Sequence, residues 1–195
     1  MTEPLWTAPA AIAAMEGTSD QQDWSASGIS IDSRTVVPGD LFVAIVGPHF
    51  DGHSFVAAAL EAGAVAAVVT ARPDNVPADA ALVIVDDTLR AIERLGRAAR
   101  ARTDARVIAV TGSVGKTGTK EALRNILSCY GETHANPGSF NNHWGLPLTL
   151  ARMPQSTEFA VLELGMNHTG ELGPLSRMAR PHVALITTIA SNHIG

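Results

Sequence analysis

The residues best suited to chemistry are Lys116 and Thr117, which close the run Thr111-Gly112-Ser113-Val114-Gly115-Lys116-Thr117. They follow the apolar, β-branched stretch Val107-Ile108-Ala109-Val110, so a strand feeds a glycine-bearing turn and then a helix. Gly112 and Gly115 let the backbone turn tightly and present N–H groups to an anion, while a helix beginning at Lys116 adds the positive end of its dipole. In that reading residues 111–117 cradle the phosphates of a nucleotide, Lys116 reaches a terminal phosphate and the Thr117 hydroxyl ligates magnesium. The spacing departs from G-x-x-x-x-G-K-[ST], because Val110 stands where the first glycine belongs. A turn that merely joins strand to helix accounts for the glycines but not for the Lys-Thr pair directly after them.

Other residues could share that site. Phe159-Ala160-Val161-Leu162-Glu163 puts an acid at the end of a buried strand, where a carboxylate is expensive unless it holds a metal or caps a turn. His193 lies four residues past another strand, and is either a metal or phosphate contact or a surface histidine. Asn141 and Asn142, between glycines and ahead of a helix, either close on a ligand or start that helix. Asp32-Ser33-Arg34 ends a strand and offers a hydroxyl and a guanidinium to a polar ligand, or is a turn with a surface arginine. The seven histidines are not expected to make a zinc site.

Composition narrows the classes. A formal charge of −5 argues against a nucleic-acid scaffold, whose footprint would be basic. Cys129 is the single cysteine, which excludes an internal disulfide and points to a reducing, cytoplasmic setting, with the thiol expected in the core. Only Lys116 and Lys120 among fourteen basic residues are lysines. A compact ammonium suits a point contact on phosphate, which explains Lys116; Lys120 is expected on a solvated face. The N-terminus carries Glu3, Pro4 and Pro9 and reads as a short amphipathic helix rather than a leader, and no apolar run approaches the roughly 20 residues of a membrane span.

Positioning these groups requires an α/β fold. Apolar runs at 29–31, 41–46, 65–70 and 82–85, a helix over 54–62 stopping at Gly63, a loop over 72–79 and a helix from Thr88 to about Arg102, capped by Asp87 or Thr88, predict a small N-terminal α/β domain over residues 1–104. After a junction at 103–106, residues 105–195 alternate: helix 116–129, strand 132–135, helix 144–151, strand 159–164, helix 171–179, strand 183–189. That order predicts a parallel sheet with helices on both faces and ligands at the carboxyl ends of its strands. The phosphate loop, Glu163 and Ser191-Asn192-His193 fall at such ends. The sequence stops just after a strand, so this ATPase domain is expected to be incomplete and the chain part of a longer protein.

Taken together, Asp32-Ser33-Arg34, Pro38-Gly39-Asp40, Asp51-Gly52-His53-Ser54-Phe55, the 111–117 loop, Asn141-Asn142-x-x-Gly145-x-Pro147 and Glu163-x-Gly165-x-Asn167-x-x-Gly170-Glu171 resemble the Mur ligase family of peptidoglycan synthesis. They are most similar to its D-alanyl-D-alanine-adding branch, and the shortened phosphate loop is the form this family uses. The resemblance implies an ATP-dependent amide ligase that phosphorylates the terminal carboxylate of UDP-MurNAc-tripeptide and lets D-alanyl-D-alanine attack the acyl phosphate. It implies that Thr111, Gly112, Ser113, Val114, Gly115, Lys116 and Thr117 bind ATP phosphates, that Thr117 and Glu163 hold magnesium, and that His193 serves a second magnesium or its shell. Ser33 and Arg34 would contact the uridine nucleotide and Asn142 the sugar-diphosphate region, with Asn141 also binding substrate. The expected partners are these two substrates, with no nucleic acid or membrane insertion, in a monomer whose 195 residues alone are inactive. The alternatives are a ligase like MurE or folylpolyglutamate synthetase, a nucleotide-dependent switch, or a binding module without catalysis.

Overall fold

The computed structural model describes residues 3–47, 50–138, 140–166 and 170–189. The chain divides into two compact units between Leu95 and Gly96, ahead of the boundary expected after residue 104.

In the first unit the two-residue strand β1 (Trp6–Thr7) leads into α1 (Ala8–Met15), with Pro9 in its first turn, where a missing N–H costs nothing. Ala8, Ala11 and Met15 are buried at helical spacing. β2 (Ser25–Ala26) pairs antiparallel with β1. β3 (Gly28–Ser30), β4 (Asp40–Val43), β5 (Ala66–Val69) and β6 (Leu82–Ile84) form a wholly parallel sheet in that order. Every residue of β4 and β5 is buried, as expected of strands covered on both faces. The core joins Phe42, Val69 and Leu82 to Val56 and Ala59 of α2 (Val56–Glu61), which continues a 3-10 turn over Gly52–Phe55. The edge of β6 is met by Thr18, which exchanges two backbone hydrogen bonds with Ile84, at 2.9 and 2.8 Å. α3 (Thr88–Ala101) starts at Asp87, whose carboxylate accepts from the amides of Leu89 and Arg90 at 2.8 and 3.0 Å.

The second unit contains β7 (Arg106–Thr111), α4 (Lys116–Leu127), β8 (Thr133–Ala135), α5 (Gly145–Ala151), β9 (Phe159–Glu163), α6 (Leu172–Ala179) and β10 (Val183–Ile186). Its strands run parallel in the order β10-β7-β9-β8. Val107, Ala109, Ala160 and Leu162 meet Leu146, Leu150, Leu175 and Met178 of α5 and α6. By strand alternation Val161 and Glu163 point to the other face, the one α4 serves. The fold class is therefore mixed α/β with parallel sheets, and element ends fall within three residues of expectation.

Two expectations fail. Cys129 is exposed rather than in the core. The stripe of α4 that faces the sheet runs through Lys120, Leu123 and Leu127, and a residue two positions past Leu127 points away from it. Lys120, expected in solvent, is fully buried.

Candidate functional site

β7 enters its loop by way of two glycines no other residue could replace without strain. Gly112 has φ +133°, and a Cβ there would collide with Thr187 Oγ1 and come within 3.0 Å of the Thr188 backbone; Gly115 has φ +86°. The loop is tied to the segment after β10: the Ser113 amide donates to the Thr188 carbonyl at 2.7 Å, and the Thr187 hydroxyl to the Val114 carbonyl at 2.6 Å. Val114 is 60% exposed, so no apolar packing shuts the turn. Lys116 Nζ lies against the loop, donating to the Gly112 carbonyl at 2.7 Å. α4 starts here, and Thr119 is the first of its amides to bond one turn back, to the Gly115 carbonyl at 3.0 Å, so those of Lys116, Thr117 and Gly118 face the loop's anion side.

Glu163 ends β9 with its side chain 1% exposed. One carboxylate oxygen accepts from the Thr117 hydroxyl at 2.9 Å and the other from the Asn141 amide at 2.7 Å. Acid and hydroxyl therefore meet on the α4 side of the sheet, at the carboxyl ends of β7 and β9, where ligands of such sheets bind. The donor set suits magnesium, since both are hard oxygens and one carboxylate is enough for an ion that keeps waters and phosphate oxygens in its shell. Among the described residues no three His, Cys, Asp or Glu side chains form a metal cluster.

Asn136, which the sequence reading did not single out, is 1% exposed and grips both backbone groups of Glu163: its Oδ1 accepts from the Glu163 amide at 2.7 Å, and its Nδ2 donates to the Glu163 carbonyl at 3.0 Å. Its only signal is its place just after β8 and before Pro137-Gly138. Thr111 donates its hydroxyl to the Leu164 carbonyl at 3.0 Å. Asn142 starts α5, with Oδ1 accepting from the amides of Trp144 and Gly145 at 3.1 and 2.8 Å. The paired asparagines thus split, Asn141 to the acid and Asn142 to the helix. His193, like Asn167, lies outside the described residues.

In the first unit Ser33 and Arg34 form a 3-10 turn over Ser33–Thr35, with Asp32 accepting from the Arg34 amide at 3.0 Å and, through both oxygens, from its guanidinium. Those hydrogen bonds hold the Asp32 carboxyl down at about 2. Asp51 repeats the arrangement with the amide and ring of His53 at 2.9 and 2.6 Å, and is likewise held below the ordinary carboxylate range. Both turns line one cavity of about 370 Å³, walled by Phe42, Phe50 and Phe55 and rimmed by Ser33 and Arg34.

Comparison with known proteins agrees with this geometry. The Mur ligase family catalytic domain matches residues 25–103 and the Mur ligase middle domain residues 110–195. A Bacillus subtilis protein named UDP-N-acetylmuramoyl-tripeptide–D-alanyl-D-alanine ligase is 45% identical over 167 residues, covering 86% of this chain and 36% of its own length. A crystal structure of MurF from Acinetobacter baumannii superposes with TM-score 0.86 at 40% identity, over 99% of this chain and 43% of that one. MurF ligase from Thermotoga maritima in complex with ADP gives 0.70 at 34% identity, over 86% of this chain and 38% of that one. The chain thus spans less than half the length of these relatives. With two family domains in sequence order and the phosphate loop and its acid at one sheet end, the chain belongs to the Mur ligase family.

Proposed function

We propose that this chain supplies the nucleotide site and part of the substrate site of an ATP-dependent ligase that joins D-alanyl-D-alanine to UDP-MurNAc-tripeptide, working as a cytoplasmic monomer in peptidoglycan synthesis. The observation that carries the reading is the buried Glu163 carboxylate 2.9 Å from the Thr117 hydroxyl, at the head of the helix that begins with Lys116. No helix among the described residues is long and apolar enough to cross a membrane.

An amine does not displace oxide from a carboxylate. Transfer of the γ-phosphoryl group from ATP to the tripeptide carboxylate gives an acyl phosphate and ADP. Attack by the dipeptide amine then forms the amide and releases phosphate and a proton. The loop amides, the α4 N-terminus and Lys116 hold the phosphate chain and offset its charge. Magnesium, held by Thr117 and Glu163, would neutralise charge gathering on the transferring group. Asn141 and Asn136 keep Glu163 aimed at that position. His193 is proposed for a second magnesium or its shell, Ser33 and Arg34 for the uridine nucleotide, and Asn142, with Asn141, for the sugar-diphosphate region.

The test is ATP consumption by the complete enzyme, expected only when UDP-MurNAc-tripeptide and D-alanyl-D-alanine are both present. Equal turnover with a single amino acid in place of the dipeptide overturns the substrate assignment. Glu163→Gln is expected to lower the rate at least about a hundredfold, the size usual for losing one group that stabilises developing charge. The 195 residues alone are expected to bind ADP without consuming ATP.

A further inference from the structure

We infer that Lys120 is a positioning residue for the acid of the site: from α4 it clamps the 136–138 segment, and that segment sets Glu163 against Thr117. Lys120 is the one residue of α4 that is buried, at 0% exposure, on a stripe otherwise made of the half-buried Leu123 and Leu127. Packing alone would be served there by leucine or methionine, since taking an ammonium out of water is costly unless each of its protons finds an acceptor. Lys120 Nζ has three: the Asn136 carbonyl at 2.7 Å, the Gly138 carbonyl at 2.8 Å and Glu121 Oε1 at 3.0 Å.

What it grips leads to Glu163 by two routes. Asn136 bonds the backbone N–H and carbonyl of Glu163 and also donates to the Phe140 carbonyl at 2.6 Å. The chain running on from Gly138 brings Asn141, whose amide reaches the Glu163 carboxylate. Thr117 lies three residues before Lys120 on α4, close to one helical turn away. One helix therefore delivers the hydroxyl and, through its buried lysine, fixes the acid that must meet it.

The inference rests on Thr117 and Glu163 being the magnesium ligands, and its test keeps the two claims apart. ADP is titrated onto the full-length protein with saturating magnesium and again with EDTA, and the ratio of the two affinities is the readout. Lys120→Met is expected to leave the EDTA affinity within about twofold and to cut the magnesium gain about tenfold, as removing an outer partner of a metal ligand does. Asn136→Ala is expected to do the same, and the double variant to lose no more than either single one, because both break one connection. A folded Lys120→Met protein that keeps the full magnesium gain, or that weakens ADP equally in both conditions, overturns the inference. If Lys120→Met fails to melt cooperatively, Asn136→Ala decides by the same criterion. A wild-type protein without a magnesium gain, or a Glu163→Gln protein that keeps it, removes the ligand assignment itself.

Discussion

The two units handle polar groups in opposite ways. In the first, Asp32 with Arg34 and Asp51 with His53 are partners two residues apart, although the far nitrogen of the His53 ring also accepts from the Thr70 amide at 2.9 Å, and the Arg34 side chain stays 86% exposed. In the second, Glu163, Asn136 and Lys120 are buried and joined across 16 and 27 residues of chain. A local pair forms wherever its turn forms and can open for a ligand at little cost. A long-range network exists only when sheet, loop and helix are all in place, which suits a site that must hold charge in one geometry before the reaction begins.

The largest expected effect tests how much the second unit depends on its loop. Gly112→Ala forces a side chain into φ +133° and into Thr187. Strain of about 1–3 kcal/mol should appear in denaturant unfolding, together with loss of ADP binding. An alanine variant that binds ADP normally would mean that the loop is not held by the strand end it touches.

Acid should separate the units next. His134 is half-buried in β8 with its Nε2 donating to the Thr149 carbonyl at 2.7 Å, and desolvation lowers its pKa from 6.5. Because the unfolded chain takes up a proton as pH falls through 6.5 while the folded ring stays neutral, stability is highest above that pH and declines below it. The slope is at most about 1.4 kcal/mol per pH unit, and thermal melts from pH 7.5 to 5 should show it for the wild type and not for His134→Gln. Asp32 moves the other boundary: with its carboxyl at about 2 against 3.8, its contribution is complete above 3.8 and lost only as pH drops towards 2.

The smallest effect belongs to that exposed pair. Arg34→Ala should leave stability nearly unchanged, since solvent and salt screen the ion pair. Calorimetry with UDP-MurNAc-tripeptide should nevertheless show weaker binding. A large loss of stability would show that this turn is not self-contained and would erase the contrast with the second unit.

What the sequence disclosed follows the same division. The parallel sheets were legible because apolar runs alternate with helical spacing between Gly, Pro and Asp punctuation, and Thr117 with Glu163 because each stands at a strand or helix end of recognisable type. Asn136 was not, since nothing local says that an asparagine before Pro137 will meet a strand end 27 residues later. Lys120 was misplaced for an instructive reason: its charge suggested solvent, while its spacing to Leu123 and Leu127 already put it on the inward stripe. Two-residue strands such as β1 and β2 are too short to leave any periodicity.

Thr18 has a bearing on how the molecule can be handled. Its reciprocal bonds to Ile84 act as a hem on the outermost strand of the first sheet. A polypeptide shortened to begin after that threonine would bare the amide and carbonyl of Ile84 on that edge, where another copy could pair, so trimming the N-terminus invites clumping rather than a tidier protein.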